Sequence, residues 1–315
     1  MSQQSFSYEP APGAPARAVA GHERAAGVPS VDPSGGAGAL SVRPSRVAPP
    51  VAGDRRVRLT VAYDGAAFSG FASQLGVATV QATLADALSR ILRRRVAVTG
   101  AGRTDAGVHA WGQVVSFDVP AATDLARVHR SVNGMCAPAL VVREASWVAD
   151  DFDARFSARW RHYRYTVLAT TWPSPFLTRT AWHVYHPLDL GAMRLGCDAF
   201  VGEHDFSSFC RAPRPGDRDD ELGAPSLVRR VLLTEWHDLG DGRLRFDVRA
   251  TAFCHQMVRA MVGTLVDVGR GRRRAGEVLA MLRARSRAVT GVVAPPQGLC
   301  LWEVGYPGGP SGDLY

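Results

Sequence analysis

The sequence contains no lysine, and all 37 basic residues among its 315 are arginines. This absence excludes chemistry that depends on a lysine side chain, such as a P-loop lysine, a Schiff-base lysine or the kinase lysine. Arginine can bind phosphate with two hydrogen bonds and can stack on bases. An arginine-biased genome composition explains the replacement equally well, so the arginines alone indicate no function.

Long apolar runs and cysteine motifs are also missing. No stretch approaches the roughly 20 apolar residues of a membrane-spanning helix. The opening Met1-Ser2-Gln3-Gln4 lacks the charged and apolar regions of a secretion signal. The five cysteines are odd in number, widely spaced and contain no C-x-x-C pair, which predicts neither a zinc site nor a disulfide framework. We therefore expect a cytoplasmic protein.

The chain is basic, with a formal net charge of +8 and a pI of about 9.8. Soluble proteins of this kind often bind a polyanion. A generic basic surface would give the same balance, so charge alone leaves both interpretations open.

Residues 1–54 are rich in Ala, Gly, Pro, Ser and Val and show no helical or strand periodicity, which predicts a disordered extension. Apolar periodicity begins at Val57. The pattern predicts strands at 57–63, 96–98, 113–119, 162–168, 244–248 and 299–306, helices at 79–93, 190–200, 257–266 and 276–285, and a surface loop at 211–225.

This mixture predicts an α+β fold with a mostly antiparallel central sheet flanked by helices, because the turns are too short for regular parallel crossovers. The second half of the chain repeats the mixture of the first. We expect two similar α+β halves, at 55–158 and 159–307, and a flexible tail at 308–315.

The most informative segment runs from Gly102 to Ala110 and reads Gly-Arg-Thr-Asp-Ala-Gly-Val-His-Ala. It places Arg103, Asp105 and His109 in one glycine-flanked loop. An isolated Thr-Asp-x-Gly would more often be a turn in which the Asp caps backbone amides. The nine-residue string, however, matches without a mismatch the signature loop of the tRNA pseudouridine synthases that modify the anticodon stem-loop. The sequence therefore resembles that family.

Further segments match the family in the same order over about residues 57–306. They are Tyr63-Asp64-Gly65, Phe68–Phe71, Thr79-Val80-Gln81, Asp153–Ala158, Arg161–Tyr165, His204-Asp205-Phe206, Met257-Val258-Arg259 and Gly298-Leu299. Three positions depart from it. The family usually has Trp-Gln at Phe71-Ala72, Asn at Thr251, and Gly-Pro-Thr near Gly291-Val292-Val293. These departures concern contacts with RNA and leave the signature loop intact.

The resemblance implies a catalytic cleft between the two halves, with Asp105 as the catalytic carboxylate. Pseudouridine formation breaks a C–N glycosidic bond, turns the base and joins the sugar to C5, so we expect no metal and no cofactor. A carboxylate can act there as a nucleophile or as a proton acceptor, and the order of steps stays open. The resemblance offers Arg259 as the partner that keeps Asp105 ionised. The alternative for Arg259 is a surface arginine whose stem packs on apolar neighbours.

Two further residues are implied in substrate binding. Tyr163 corresponds to the family's active-site tyrosine and would hold a uridine flipped out of its helix. The alternative is a core tyrosine, since Tyr165 shares its strand face. Arg103 would reach a phosphate or fill the space that the flipped base leaves.

Two histidines are better explained by structure than by chemistry. For His109 we expect a hydrogen bond that stabilises the loop. His204 with Asp205 could imitate a hydrolase pair, but no Gly-x-Ser-x-Gly motif accompanies them, and helix capping explains them better.

Three functions are consistent with the sequence. The first is an isomerase acting on uridines 38, 39 and 40 of tRNA, and the resemblance implies a homodimer with each tRNA lying across both subunits. The others are a pseudouridine synthase for another RNA and a non-catalytic RNA-binding protein on the same fold. The intact Asp105 argues against the last, since a protein that only binds RNA has no need of a carboxylate facing phosphates.

Overall fold

A computed structural model describes residues 48–211 and 226–308. The predictions for the N-terminal extension, for the loop at 211–225 and for the C-terminal tail fall almost entirely outside these ranges. No helix of the described ranges is both long and apolar enough to cross a membrane.

Strands and helices are interspersed along the described residues. The strands are β1 (Asp54–Tyr63), β2 (Thr99–Gly100), β3 (His109–Pro120), β4 (Leu140–Trp147), β5 (Trp160–Ala169), β6 (Trp182–Val184), β7 (Gly202–Asp205), β8 (Val228–Asp238), β9 (Arg243–Ala250) and β10 (Leu299–Gly305). The helices are α1 (Val80–Leu92), α2 (Leu125–Cys136), α3 (Leu190–Cys197), α4 (Met257–Gly269) and α5 (Glu277–Arg283).

The strands form one mixed sheet in the order β4-β1-β3-β10-β5-β9-β8-β7, with β2 paired to β3 and β6 paired to β5. Within the described ranges every pairing is antiparallel except β10 with β3 and β5 with β6. The predicted α+β fold with a mostly antiparallel central sheet flanked by helices is confirmed.

Strand β10 comes last in the chain but lies in the middle of the sheet. It pairs with β3 through Cys300 opposite His109, and with β5 through Leu301 opposite Tyr163. The sheet therefore runs without interruption from the N-terminal segment to the C-terminal one. This insertion sets the spacing between the loop that precedes β3 and the side chains of β5.

Helices α1 and α4 show why the sequence forms these elements. The Thr79 hydroxyl caps α1 by accepting a hydrogen bond from Ala82 N, and the helix ends at Arg93 in the left-handed conformation. Its apolar residues, among them Leu84 and Leu88, are buried. Helix α4 is apolar on nearly all sides and almost entirely buried. Each large buried side chain contributes about 1.5–3 kcal/mol to the free energy of unfolding.

A buried carboxylate, Asp247 on β9, ties neighbouring strands together. One oxygen accepts from His162 Nε2 at 2.8 Å and from Arg164 Nε at 2.9 Å, and the other accepts from Arg245 Nε at 2.5 Å. Burial acts to raise the pKa of Asp247, but these hydrogen bonds and the positive charges outweigh it. The pKa of Asp247 is therefore well below its ordinary value.

The predicted helices are confirmed to within a few residues, and α3 is extended through Phe200 by a 3-10 turn. The predicted strand at Val96–Val98 is wrong, and β2 begins only at Thr99. The reason lies in α1. Val96 N donates to Ser89 Oγ, and Val98 O accepts from Gln81 Nε2, so helix side chains satisfy backbone groups that a strand would pair.

The cysteine prediction needs a correction, because Cys210 and Cys254 form a disulfide. Their Cα atoms are 5.8 Å apart although 44 residues separate them in sequence. The β7–β8–β9 antiparallel strands fold the chain back and bring the two cysteines together, which cysteine spacing alone does not reveal.

Candidate active site

The loop between β2 and β3 carries Asp105 and is held by backbone contacts. Phe71 N donates to Thr104 O at 3.0 Å, and Val108 N donates to Asp105 O at 3.1 Å. A Cβ on Gly65 would lie 2.2 Å from Val108 O, so only glycine allows this approach. The Tyr-Asp-Gly segment after β1 is thus needed for the shape of the Asp105 loop.

Buried side chains support the same loop from below. The hydroxyl groups of Tyr63 and Thr104 are 2.8 Å apart, and Gln113 Nε2 donates to Gly102 O at 2.9 Å. Both contacts are formed by residues with little solvent access. These contacts therefore fix the backbone that precedes Asp105.

The carboxylate of Asp105 lies between the side chains of Arg259 and His255. Arg259 Nη1 donates to Oδ2 at 3.0 Å, and His255 Nε2 lies 3.2 Å from Oδ1. Burial acts to raise the pKa of Asp105, but the hydrogen bond and charge of His255, together with Arg259, outweigh it and lower the pKa. Asp105 is therefore ionised at neutral pH, as either proposed role of the carboxylate requires.

Arg259 is the third residue of α4, and its side chain is only 14% exposed. Its Nε donates to Ala294 O at 2.7 Å, and its own carbonyl accepts from Ala294 N at 3.0 Å. The side chain is thus held on two sides, by Ala294 and by Asp105. This geometry rules out the alternative of a surface arginine packed along apolar neighbours.

Tyr163 lies on β5 and is buried against Phe253, with ring centroids 5.0 Å apart in an edge-to-face arrangement. Burial raises the pKa of Tyr163, and the charge of nearby Asp105 adds to this effect. Its hydroxyl is therefore protonated at neutral pH. Tyr165 differs, since its hydroxyl donates to Pro295 O at 2.8 Å. Tyr163 is thus buried like a core residue, yet its hydroxyl lies within the electrostatic influence of Asp105.

Arg103 and His109, which lie on either side of Asp105 in the sequence, have different surroundings. Arg103 is exposed, two residues before Asp105. His109 Nδ1 accepts from Gly65 N at 3.0 Å, and its Nε2 donates to Arg179 O at 2.8 Å. These bonds require a neutral ring with the proton on Nε2, and they confirm the predicted role of His109 in stabilising the loop.

His204 and Asp205 do not act as a catalytic pair. His204 Nε2 lies 3.0 Å from Val201 O, and Asp205 Oδ1 accepts from Ser207 N at 2.9 Å. Asp205 therefore caps a turn that follows β7. The prediction of helix capping is corrected on this point, because a turn rather than a helix begins there.

Sequence reasoning missed Arg161, which joins three segments around the site. Its guanidinium donates to Ala101 O at 2.8 Å, to Arg155 O at 2.7 Å and to Thr251 O at 2.9 Å. The Thr251 departure does not disturb this contact, because the acceptor is the backbone carbonyl. Arg161 lies inside the matched Arg161–Tyr165 segment, so that match was the signal that could have found it.

Sequence reasoning also missed His255. It lies four residues before Arg259, just ahead of the matched Met257-Val258-Arg259 segment. Gln256, the left-handed residue just before α4, separates His255 from the helix that carries Arg259, and both side chains contact the same carboxylate. No sequence pattern signals that local geometry.

Comparisons with known proteins agree with this arrangement. The chain matches the family model described as tRNA pseudouridine synthase over residues 59–157 and 197–307. It is 39% identical over 254 residues to the tRNA pseudouridine synthase A of Geobacter sp. (strain M21), covering 80% of this chain and 99% of that protein. It is 40% identical over 255 residues to the protein of that name from Myxococcus xanthus, covering 81% of this chain and 93% of the relative.

A third relative, the tRNA pseudouridine synthase A of Bacillus pumilus, is 38% identical over 253 residues, which cover 80% of this chain and 99% of that protein. The residues that match the family model include the Asp105 loop, the start of α4 and β10. The chain belongs to the tRNA pseudouridine synthase family.

Proposed function

We propose that this protein isomerises uridine to pseudouridine in tRNA, with Asp105 as its catalytic carboxylate. The observation that carries the proposal is the ionised Asp105, which lies on the loop that matches the family signature. Its carboxylate accepts a hydrogen bond from Arg259 at 3.0 Å. Relatives named tRNA pseudouridine synthase A support tRNA as the substrate.

The chemistry needs a group that can act at the sugar or at the base. The N1–C1′ bond of uridine breaks, the base turns, a C5–C1′ bond forms, and the C5 proton leaves. No atom is gained or lost overall apart from proton exchange. An ionised carboxylate can supply a nucleophilic oxygen or accept a proton. Arg259 keeps Asp105 in the charged form that both routes require.

Tyr163 is proposed to border the flipped uridine, because the charge of Asp105 reaches its hydroxyl and its ring packs against Phe253. Its raised pKa makes the hydroxyl a hydrogen-bond donor in the resting enzyme. A role in removing the C5 proton therefore needs a proton acceptor for the hydroxyl, and we propose Asp105 for it. Arg103, exposed on the same loop, is proposed to contact a phosphate of the RNA.

The finer assignments follow from family membership. We propose uridines 38, 39 and 40 in the anticodon arm as targets, a homodimer with each tRNA across both subunits, and a cytoplasmic location. The basic balance of the chain supports a polyanionic partner.

The test compares substrates. Release of tritium from C5-labelled uridine is measured with unmodified tRNA and with unmodified ribosomal RNA. Turnover on tRNA, mapped to positions 38 to 40, is the expected result. Turnover on ribosomal RNA alone would favour a synthase of another class, and binding without turnover would favour a non-catalytic RNA-binding protein.

The dissociation constant for tRNA is measured in the same experiment across a salt series. We expect affinity to fall steeply with salt, because arginine contacts with phosphates release counterions. A flat dependence would contradict an arginine-lined RNA surface.

A further inference from the structure

The guanidinium of Arg161, on β5, uses every hydrogen-bond donor that it has. Its Nε and Nη2 donate to Ala101 O at 3.3 and 2.8 Å, and Nη2 also donates to Arg155 O at 2.7 Å. Its Nη1 donates to Thr251 O at 2.9 Å and to Ala158 O at 3.4 Å. All N–H groups of the guanidinium are engaged in this way. Arg161 therefore has no donor left for a phosphate of the RNA.

Two of the acceptors belong to the segments that carry the site. Ala101 lies at the start of the loop that leads to Asp105. Thr251 directly follows β9 and begins the segment that leads through Phe253 to Arg259 on α4. One guanidinium therefore joins the loop of the carboxylate to the segment that supplies its arginine partner.

The strand beneath this guanidinium carries the active-site tyrosine. Arg161 and Tyr163 are two residues apart on β5, so their side chains lie on the same face of the sheet. The backbone of Arg161 is fixed inside the sheet, opposite Ala250 of β9 and Val304 of β10. Burial raises the pKa of Tyr163, whereas the charge of Arg161 acts to lower it, which agrees with their proximity.

From these contacts we propose that Arg161 is a positioning residue, which sets the spacing of Asp105, Tyr163 and Arg259 for the reaction. It touches neither the carboxylate nor the RNA, and it acts through the segments that it joins. This inference rests on the proposed function and deepens it.

Two physical reasons favour an arginine in this place. Its planar fork holds several acceptors in one fixed geometry, whereas a lysine ammonium is a single point on a flexible stem. Every acceptor that the described residues offer to Arg161 is a neutral carbonyl. The segments are thus joined without a second carboxylate near Asp105, whose negative charge would raise the pKa of Asp105.

The test uses variants of the full chain. Arg161→Lys keeps the charge but not the fork, and Arg161→Gln removes the charge and keeps one donor group. Arg94→Lys is the matched control, because the guanidinium of Arg94 also joins separate segments, through Asp54 at 2.7 Å and Asp118 O at 2.7 Å. These contacts lie at the opposite end of β1 from the Asp105 loop. Single-turnover rates and dissociation constants for unmodified tRNA are measured at a temperature at which thermal unfolding shows each variant to be folded.

We expect both Arg161 variants to slow the single-turnover rate by about 10-fold to 100-fold, since a misplacement of about 1 Å can cost about 100-fold. Binding of tRNA should stay within about threefold of wild type, because Arg161 contributes no phosphate contact. Arg94→Lys should lose stability and keep its rate.

Three outcomes would overturn the proposal. A lower Tm with a wild-type rate would give Arg161 a purely structural role. Weaker binding with an unchanged rate would make it an RNA contact. An equal loss of rate in Arg94→Lys would show that loosening any part of the fold has the same effect.

A second measurement does not depend on turnover. Amide hydrogen exchange is followed without RNA in residues 101–108 and 251–256 of each protein. Loss of the joining guanidinium should speed exchange in both segments, because local opening becomes easier, and Arg94→Lys should leave both unchanged. Unchanged exchange in either segment of the Arg161 variants would overturn the proposal. If wild type fails to act on tRNA, the proposed function fails, and the exchange comparison still decides whether Arg161 holds the two segments.

Discussion

Replacing Asp105 with Asn tests the site at its centre. Asn keeps the size of Asp and leaves the Val108 N to Asp105 O backbone bond intact. Its amide, however, has one oxygen and one NH2 group, whereas Arg259 and His255 both offer donors to the carboxylate. One donor must therefore face the NH2 group of Asn, and the negative charge is lost in either orientation.

The magnitudes follow from these contacts. Hydrogen bonds to charged groups contribute about 1.5–3 kcal/mol each to stability. The Asp105 side chain is 23% exposed, and Arg259 keeps its bond to Ala294 O, so solvent and that bond limit the loss. We expect Asp105→Asn to lower the free energy of unfolding by about 1–2 kcal/mol and Tm by about 2–8 °C. We expect turnover to fall by at least about 10³-fold, equivalent to about 4 kcal/mol in the barrier.

Asp54→Asn serves as the control for stability. Asp54 accepts from Arg94 at 2.7 Å, and it lies at the opposite end of β1 from the Asp105 loop, about 30 Å away by strand rise. This variant should lose comparable stability and keep its activity. Tritium release from C5-labelled tRNA and thermal unfolding are measured for both. Activity of Asp105→Asn within about tenfold of wild type would refute the role of the carboxylate.

Three other perturbations extend the test. Tyr163→Phe should bind tRNA almost normally but turn over at least about 10²-fold more slowly, whereas Tyr163→Leu should lose both binding and turnover. Single-turnover kinetics on one tRNA check this. Wild-type behaviour of both variants would make Tyr163 a core residue. Deleting residues 1–47 should leave folding and turnover nearly unchanged, because the family match begins at residue 59; loss of most activity on tRNA would contradict this. Asp247→Asn should cost about 3 kcal/mol at pH 7, because it removes the buried carboxylate charge to which His162, Arg164 and Arg245 are bonded. The pKa of Asp247 is depressed, so its contribution to the free energy of unfolding is complete above about pH 4 and is lost as pH falls below that. Urea midpoints of Asp247→Asn and wild type are compared at pH 7 and pH 3, and a difference of the same size at both would refute the depressed pKa of Asp247.

The sequence predicted best what depends on local pattern. Helix α1 follows from apolar periodicity and the Thr79 cap, helix α4 follows from its many apolar residues, and the Asp105 loop follows from nine consecutive residues. Strands β7 and β8 were missed because they border the segment at 211–225 and their pattern is short or mixed. Helix α2 was missed because it buries few apolar residues, chiefly Val128 and Val132. In these elements tertiary packing, rather than periodicity, decides the structure.

The residues of the candidate site also fall into those that the sequence predicted and those that it did not. Asp105 and Arg259 came from segments that resemble the family, and the structure brings them into contact across 154 residues of sequence. The contacts of His255 and Arg161 depend on tertiary geometry, namely a left-handed residue before a helix and one guanidinium that bonds four backbone carbonyls. The Cys210–Cys254 bond likewise depends on how three antiparallel strands fold back.

The central position of β10 has a consequence for how the protein is made. Ribosomes synthesise β3 and β5 long before Leu299–Gly305, yet these two strands meet only through β10. Until that strand emerges, the growing chain carries two open sheet edges, which are sites of aggregation. Asp105 and Tyr163 also lack the strand that sets the distance between them. We therefore expect activity to appear only after translation has passed β10.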